Sequence, residues 1–208
     1  MKKKHLAMIL SKLEGFPDPK PELEQYRTPG DVAAELLWLA YSAGDIPEKV
    51  VADLGAGTGV LSIGATLLGA EKVYAVEVDE KALEVARKNA SLLGVDEKIE
   101  FIHADATEFD RRVDTVVMNP PFGSQVKHAD RPFLTKAFEI SSVVYSIHLA
   151  KPEVRNFVEK FSANNGFEAI RLRTVPFEIP AQFHFHRKRL ERILVDLYRF
   201  RRFEHGKT

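Results

Sequence analysis

Short apolar runs alternate along the chain with longer stretches in which apolar residues recur every three or four positions, the signatures of buried strands and amphipathic helices. The first run is Val50-Val51-Ala52-Asp53-Leu54, and similar runs predict strands near 72–78, 98–103, 113–118 and 142–147. Helical spacing falls between them, near 59–68, 80–93, 132–140 and 151–164. Such alternation gives parallel strands joined by crossover helices. Toward the end the rhythm changes: 168–177 and 190–203 are both strand-like with no helical pattern between them, so antiparallel pairing is expected. The expected fold is α/β, a doubly wound, seven-stranded, Rossmann-like sheet with an antiparallel C-terminal strand pair. Ahead of the sheet, residues 2 to about 14 read as a basic helix with Leu6, Ile9, Leu10 and Leu13 on one face. Gly15 to Pro21 breaks it, 23–29 is irregular, and a helix over 31–43 carries Val32, Leu36, Leu37 and Leu39.

With 208 residues the chain has room for one α/β domain, of which residues 1–45 are read as an N-terminal helical extension. It contains no cysteine, which excludes disulfides and thiolate zinc sites within the chain. No apolar run approaches the roughly 18 residues of a membrane span, and Met1-Lys2-Lys3-Lys4 is not followed by a signal-type apolar core. A soluble, cytoplasmic protein is expected. The 30 basic and 30 acidic side chains cancel, so a nucleic-acid surface has to be a local patch.

Candidate chemistry gathers at the ends of the expected strands. Gly55-Ala56-Gly57-Thr58-Gly59 follows the first strand and opens into Val60, Leu61, Ile63, Leu67 and Leu68 at helical spacing. Glycines there allow a tight turn and close approach of a ligand to backbone N–H groups at a helix N-terminus. The next strand ends in Glu77 and Asp79, about the 20-residue distance at which a carboxylate meets a ribose hydroxyl in dinucleotide folds. The register is not G-x-G-x-x-G, because Val60 and Ser62 stand where its last glycine falls. It is Asp-x-Gly-x-Gly-x-Gly, which resembles the first motif of S-adenosylmethionine-dependent methyltransferases.

After the apolar run ending at Met118 comes Asn119-Pro120-Pro121-Phe122-Gly123. The Asn119 side-chain carbonyl and the Pro120 carbonyl are two acceptors for a planar amino group with two hydrogens. Phe122 offers a face for a nucleobase, and Gly123 lets the backbone pass close to it. The bland reading is a Pro-rich turn. Farther on, Phe183-His184-Phe185-His186-Arg187-Lys188-Arg189 interleaves aromatics with cations, which suits RNA, while a solvated hairpin end is the alternative. His184 and His186 at i, i+2 lack carboxylate or thiolate company, so no metal is expected.

These blocks together resemble the adenine-N6 methyltransferases of small-subunit ribosomal RNA and their archaeal relatives. The likeness runs through Leu23-Glu24-Gln25-Tyr26 with Thr28, Val51 to Gly55, Gly59 to Gly64, and Asp79 to Leu83. It continues over Asp114 to Gly123, Val144-Tyr145-Ser146 with His148, Phe185-His186, and Val195-Asp196-Leu197. The resemblance implies one class I methyltransferase domain over 1–208, with 1–45 covering the cofactor site, and S-adenosylmethionine as cofactor. It places Gln25, Thr28, Asp53, Gly55, Gly57, Thr58, Gly59, Val60, Glu77, Asp105, Ala106 and Asn119 at the cofactor, and Asn119, Pro120, Pro121 and Phe122 at the target base. Lys127, His128, Arg131, His184, His186, Arg187, Lys188 and Arg189 are candidates for contact with substrate RNA. A small zinc-binding activator protein is a partner known among relatives. Arg27 departs from the pattern, standing where proline is expected in eukaryotic members.

The implied reaction is methyl transfer to N6 of an adenine. Methylation of a protein glutamine amide presents the same planar NH2, and a cofactor-dependent RNA-binding module without turnover is the non-enzymatic alternative. Several residues also carry a simpler reading: Gln25 and Thr28 as helix caps, Asp105 as the cap of a short helix through Phe109, Asp53 as an anchor of the loop backbone, and Glu77 as a solvated charge.

Overall fold

In the computed structural model, which describes residues 1–123, 128–180 and 190–204, seven strands form one sheet in the order β3-β2-β1-β4-β5-β7-β6. The strands are β1 (Val50–Leu54), β2 (Lys72–Glu77), β3 (Ile99–His103), β4 (Thr115–Met118), β5 (Val143–Leu149), β6 (Phe167–Pro180) and β7 (Leu190–Arg202). The helices are α1 (Lys3–Ser11), α2 (Gly30–Ser42), α3 (Val60–Leu67), α4 (Glu80–Leu92), α5 (Arg131–Ile140) and α6 (Pro152–Asn164). β1 through β5 pair in parallel and β7 runs antiparallel to both β5 and β6, the doubly wound sheet and C-terminal pair expected from the sequence.

Successive strands step one way from β1 to β3 and the other way from β1 through β4 to β5. The boundary between β1 and β4 is therefore a topological switch point, and crevices at such points, beyond the strands' carboxyl ends, are where open α/β sheets bind ligands. The glycine loop follows β1 and Asn119 follows β4, so the fold brings the two motifs side by side.

The central strands β2, β1, β4 and β5 are largely buried on both faces, with β4 entirely buried, as a sheet covered by helices requires. One face carries α1, α2 and α3, packed closely because Gly30 and Gly64 lack side chains. A Cβ on Gly30 would lie 2.3 Å from Ser11 Oγ, and one on Gly64 2.3 Å from Leu37 Cδ1. β6 extends three residues past the expected 177 and tolerates Pro176 because it is the sheet edge, where a missing N–H breaks no ladder. β5 likewise runs on to Leu149, since His148 is held within the sheet by Ser146 and Asp130.

Candidate active site

At the switch point the β1–α3 loop turns on three glycines with positive φ, Gly55, Gly57 and Gly59 at 74°, 54° and 88°. The Gly55 and Ala56 amides both donate to the Val76 carbonyl at 2.9 Å, which fixes the loop against β2. Glu77 spans the gap beyond: its Oε2 accepts from Gly57 N at 2.7 Å and its Oε1 from Asp79 N at 2.9 Å. With only 7% of its surface exposed, Glu77 is not a solvated charge. Burial raises its pKa, against the hydrogen bonds from the Asp79 and Gly57 amides.

Asp53 lies deeper, at the end of β1. Its Oδ2 accepts from Ser62 Oγ at 2.6 Å, while Oδ1 is buried without a hydrogen-bond partner. Burial pushes its pKa up to about 7, with the Ser62 hydrogen bonds acting against the shift and the Glu77 charge adding to it.

The chain between α1 and α2 closes one side of the crevice. Gln25 is no helix cap: its Oε1 accepts from Lys20 N and its Nε2 donates to Asp79 Oδ2, both at 2.8 Å. Thr28 is not a cap either, since Pro29 takes that position without a side-chain hydrogen bond. Arg27 donates through Nη2 to the Leu10 and Ser11 carbonyls at 2.8 Å, satisfying the end of α1 and giving the departure from the family pattern a structural role. Burial lowers its pKa.

Across the crevice, Asn119 Nδ2 lies 2.9 Å from Thr28 Oγ1 and donates to it. That bond fixes the amide's orientation, and Asn119 Oδ1 is left buried with no partner. A buried acceptor without a partner costs on the order of 1–3 kcal/mol, so Asn119 Oδ1 is an unmet hydrogen-bond acceptor in a residue of the cavity wall. Phe122 N donates to Glu24 Oε2 at 2.7 Å, tying the turn after β4 to the α1–α2 segment. Glu24 itself sits in the left-handed region at φ 48°, a conformation non-glycine residues adopt at a cost.

One cavity of about 200 Å³ joins these groups. Every residue expected at the cofactor lines it except Gly59, whose Cβ position faces Ala86 of α4. Asp105 lines it while also capping the one-turn helix Ala106–Glu108 through Thr107 N at 2.8 Å. Asn119 and Pro121 are in its wall, Pro120 is buried behind them, and Phe122 faces a second cavity together with His128 and Arg131. Lys127, His184, His186, Arg187, Lys188 and Arg189 lie outside the described residues.

A family model described as ribosomal protein L11 methyltransferase (PrmA) matches residues 36–120. Over nearly the whole chain, a candidate RNA methyltransferase from Pyrococcus horikoshii has the same structure, with TM-score 0.93, 64% identity, and 98% of this chain and 99% of that one covered. An uncharacterized protein of Methanocaldococcus jannaschii is 39% identical, over 96% of this chain and 94% of its own. The rRNA N(6)-adenosine-methyltransferase METTL5 of Danio rerio is 35% identical, over 96% of this chain and 99% of its own. The chain belongs to the N6-adenosine methyltransferase family.

Membership makes it an enzyme with S-adenosylmethionine as its methyl donor, and the cavity suits that ligand. The cofactor carries an ammonium, a sulfonium, ribose hydroxyls and an adenine amino group, all needing acceptors or anions. The cavity wall offers four carboxyl groups, those of Glu24, Asp53, Glu77 and, just beyond β3, Asp105. Three residues of this methyltransferase site were missed from sequence. Asn89, on the buried face of α4, donates to the Thr58 and Glu14 carbonyls at 3.0 Å and so joins the glycine loop to the N-terminal segment. Phe16 packs on Gly57 so closely that a Cβ there would lie 2.8 Å from its ring, and Glu24 holds the Phe122 amide. Only Asn89 left a signal, a polar residue in the apolar stripe Ala82, Leu83, Val85, Ala86 and Ala90.

Proposed function

We propose that this chain methylates N6 of an adenosine in ribosomal RNA, that of the small subunit, and that residues 1–208 act as one methyltransferase domain whose first 45 residues cover the cofactor side. The carrying observation is Asn119, half-buried in the wall of the cavity and pinned by Thr28, with its buried carbonyl oxygen unpaired. Bound S-adenosylmethionine supplies an electrophilic methyl group. An exocyclic adenine nitrogen is a poor nucleophile because its lone pair is delocalised into the ring. Asn119 Oδ1 and the Pro120 carbonyl accept its two N–H bonds, favour a more pyramidal nitrogen and hold it in position. No strong base is needed, since the nitrogen becomes acidic on alkylation. The target base has to leave its stack, and Phe122 offsets part of that cost by stacking on it. A small zinc-binding activator protein is part of the reading as a partner.

The test is to incubate the purified chain with isotopically labelled S-adenosylmethionine and small ribosomal subunits or their naked RNA, then digest to nucleosides for mass spectrometry. Label in N6-methyladenosine of the small-subunit RNA is expected. Label confined to protein glutamine, or cofactor binding with no transfer even when the activator is supplied, would sink the reading.

A further inference from the structure

On the far side of Phe122 lies a second cavity of about 760 Å³, between the turn after β4, the start of α5 and one face of α6. The sequence of α6 explains its wall. Val158 and Ser162 turn into the protein, which leaves Phe157 and Phe161, at i and i+4, on a flank that is only partly buried. Their rings stack at 5.4 Å, the His128 ring lies 4.7 Å from Phe157 at 36°, and the Arg131 guanidinium sits 5.5 Å from the Phe161 centroid. Lys151 and Lys160 are exposed on the same wall. Of the two carboxylates in the lining, Asp130 is turned to His148, 3.2 Å away, and Glu153 is solvent-exposed. His148 is itself buried, with its other ring nitrogen 2.9 Å from Ser146 Oγ, so the polar floor is already hydrogen-bonded. What remains for a ligand is aromatic surface ringed by cations and by the exposed amides of Asn156 and Asn164; stacking and phosphate contact of this kind bind single-stranded nucleic acid.

We propose that this cavity takes the nucleotide next to the target adenosine, with its base on the Phe157–His128 face and its phosphates against Lys151, Lys160 and Arg131. The inference rests on the RNA reading above. Phe122 and Gly123 belong to both the target turn and this wall, so the cavity adjoins the place of the base being methylated. Stacking accepts any base, so the site anchors the strand without choosing its sequence.

The experiment measures anisotropy of a 13-nucleotide oligouridine with one central adenosine, and of versions with an abasic ribose directly 5′ or 3′ of it. The wild-type chain should lose about tenfold in affinity when one of the two flanking bases is removed. Phe157→Ala should lose a similar factor on the intact oligonucleotide and become indifferent to that abasic position. Because Phe157 also packs against Phe161, the exposed pair Lys151→Gln and Lys160→Gln supplies a readout that does not threaten folding. In log Kd against log salt, the pair should lessen the slope by about 0.7 for each phosphate that the lysines neutralise in the wild-type chain. Cofactor affinity should be unchanged in both variants. No binding of the oligonucleotide, equal wild-type affinity for all three versions, full abasic sensitivity in Phe157→Ala, or an unmoved salt slope in the lysine pair would each overturn the inference. These outcomes are separate from the labelling test, whose failure removes the RNA reading itself.

Discussion

The two halves of the sheet, divided between β1 and β4, build their walls differently. On the β1-β2-β3 side the wall is largely backbone: positive-φ glycines, amides held by Val76 and Glu77, and carboxyls buried beneath them. On the β4-β5-β7-β6 side it is side chain: Asn119, Phe122, and the aromatic and cationic flank of α6. The match to the L11 methyltransferase family spans 36–120, covers the first half and stops inside Asn-Pro-Pro-Phe. Likeness along the full length is to the N6-adenosine family. A wall made of backbone can serve any member handling the same cofactor, whereas side chains at one strand end can change with the acceptor. Cofactor and target functions should therefore be separable by mutation.

The sharpest separation is Asn119→Ala, which should cut turnover by about 10²–10³-fold, the scale of losing one preorganised hydrogen bond at a reacting centre. Calorimetry should find cofactor affinity reduced only modestly. A near-wild-type rate would remove Asn119 from the chemistry. Glu24→Ala comes next, because Glu24 crosses the divide to hold the Phe122 amide. Loss of a hydrogen bond to a charged group, about 1.5–3 kcal/mol, should fall on kcat/KM for RNA more than on cofactor affinity, with Glu24→Gln recovering part of it. Equal losses in both would make Glu24 a general support of the fold.

Gly57→Ala is the converse. A methyl group there meets Phe16 and forces a non-glycine residue to φ 54°, a cost of about 1–2 kcal/mol. Cofactor binding should weaken by about tenfold while RNA binding measured without cofactor stays unchanged; a parallel loss of RNA binding would join the two halves. The smallest effect is a pH slope. With its folded pKa raised to about 7, Asp53 binds more protons in the folded chain than in the unfolded one between about pH 4 and 7. Its contribution to stability is thus fully present below the ordinary carboxylate pKa and is lost as pH rises through 7. Glu77 shifts the same way, so Asp53→Asn should lessen the slope of denaturant stability against pH without abolishing it. A cationic cofactor favours the ionised carboxyl, so wild-type affinity should rise over the same window, and a flat profile would count against this role for Asp53.

Much of the fold was legible because its signals are local. The runs ending at Leu54, Glu77 and Met118 are short and rich in valine; the first stops before a glycine, the last before an asparagine that precedes proline, and the middle one ends on an acid that still pairs with His103. The C-terminal strands were readable because the sequence between them carries no helical pattern. The capping reading of Asp105 was also local, and it holds together with the cavity position. For Gln25 and Thr28 only the capping alternative fails: beside a helix start they resemble caps, yet their partners, Asp79 and Asn119, are distant in sequence.

Sequence by itself determined which residue types stand at the strand ends and the order in which the chain presents them, because strand and helix periods and turn chemistry act over a few neighbouring residues. Tertiary structure alone decided that Thr28 turns the Asn119 amide, that Glu24 holds the Phe122 amide, that Phe16 seals Gly57 and that α6 lays Phe157 beside His128. Each of these pairings joins residues with no local preference for one another. Hydrogen-bond satisfaction and close packing select them once the sheet has brought its two halves together.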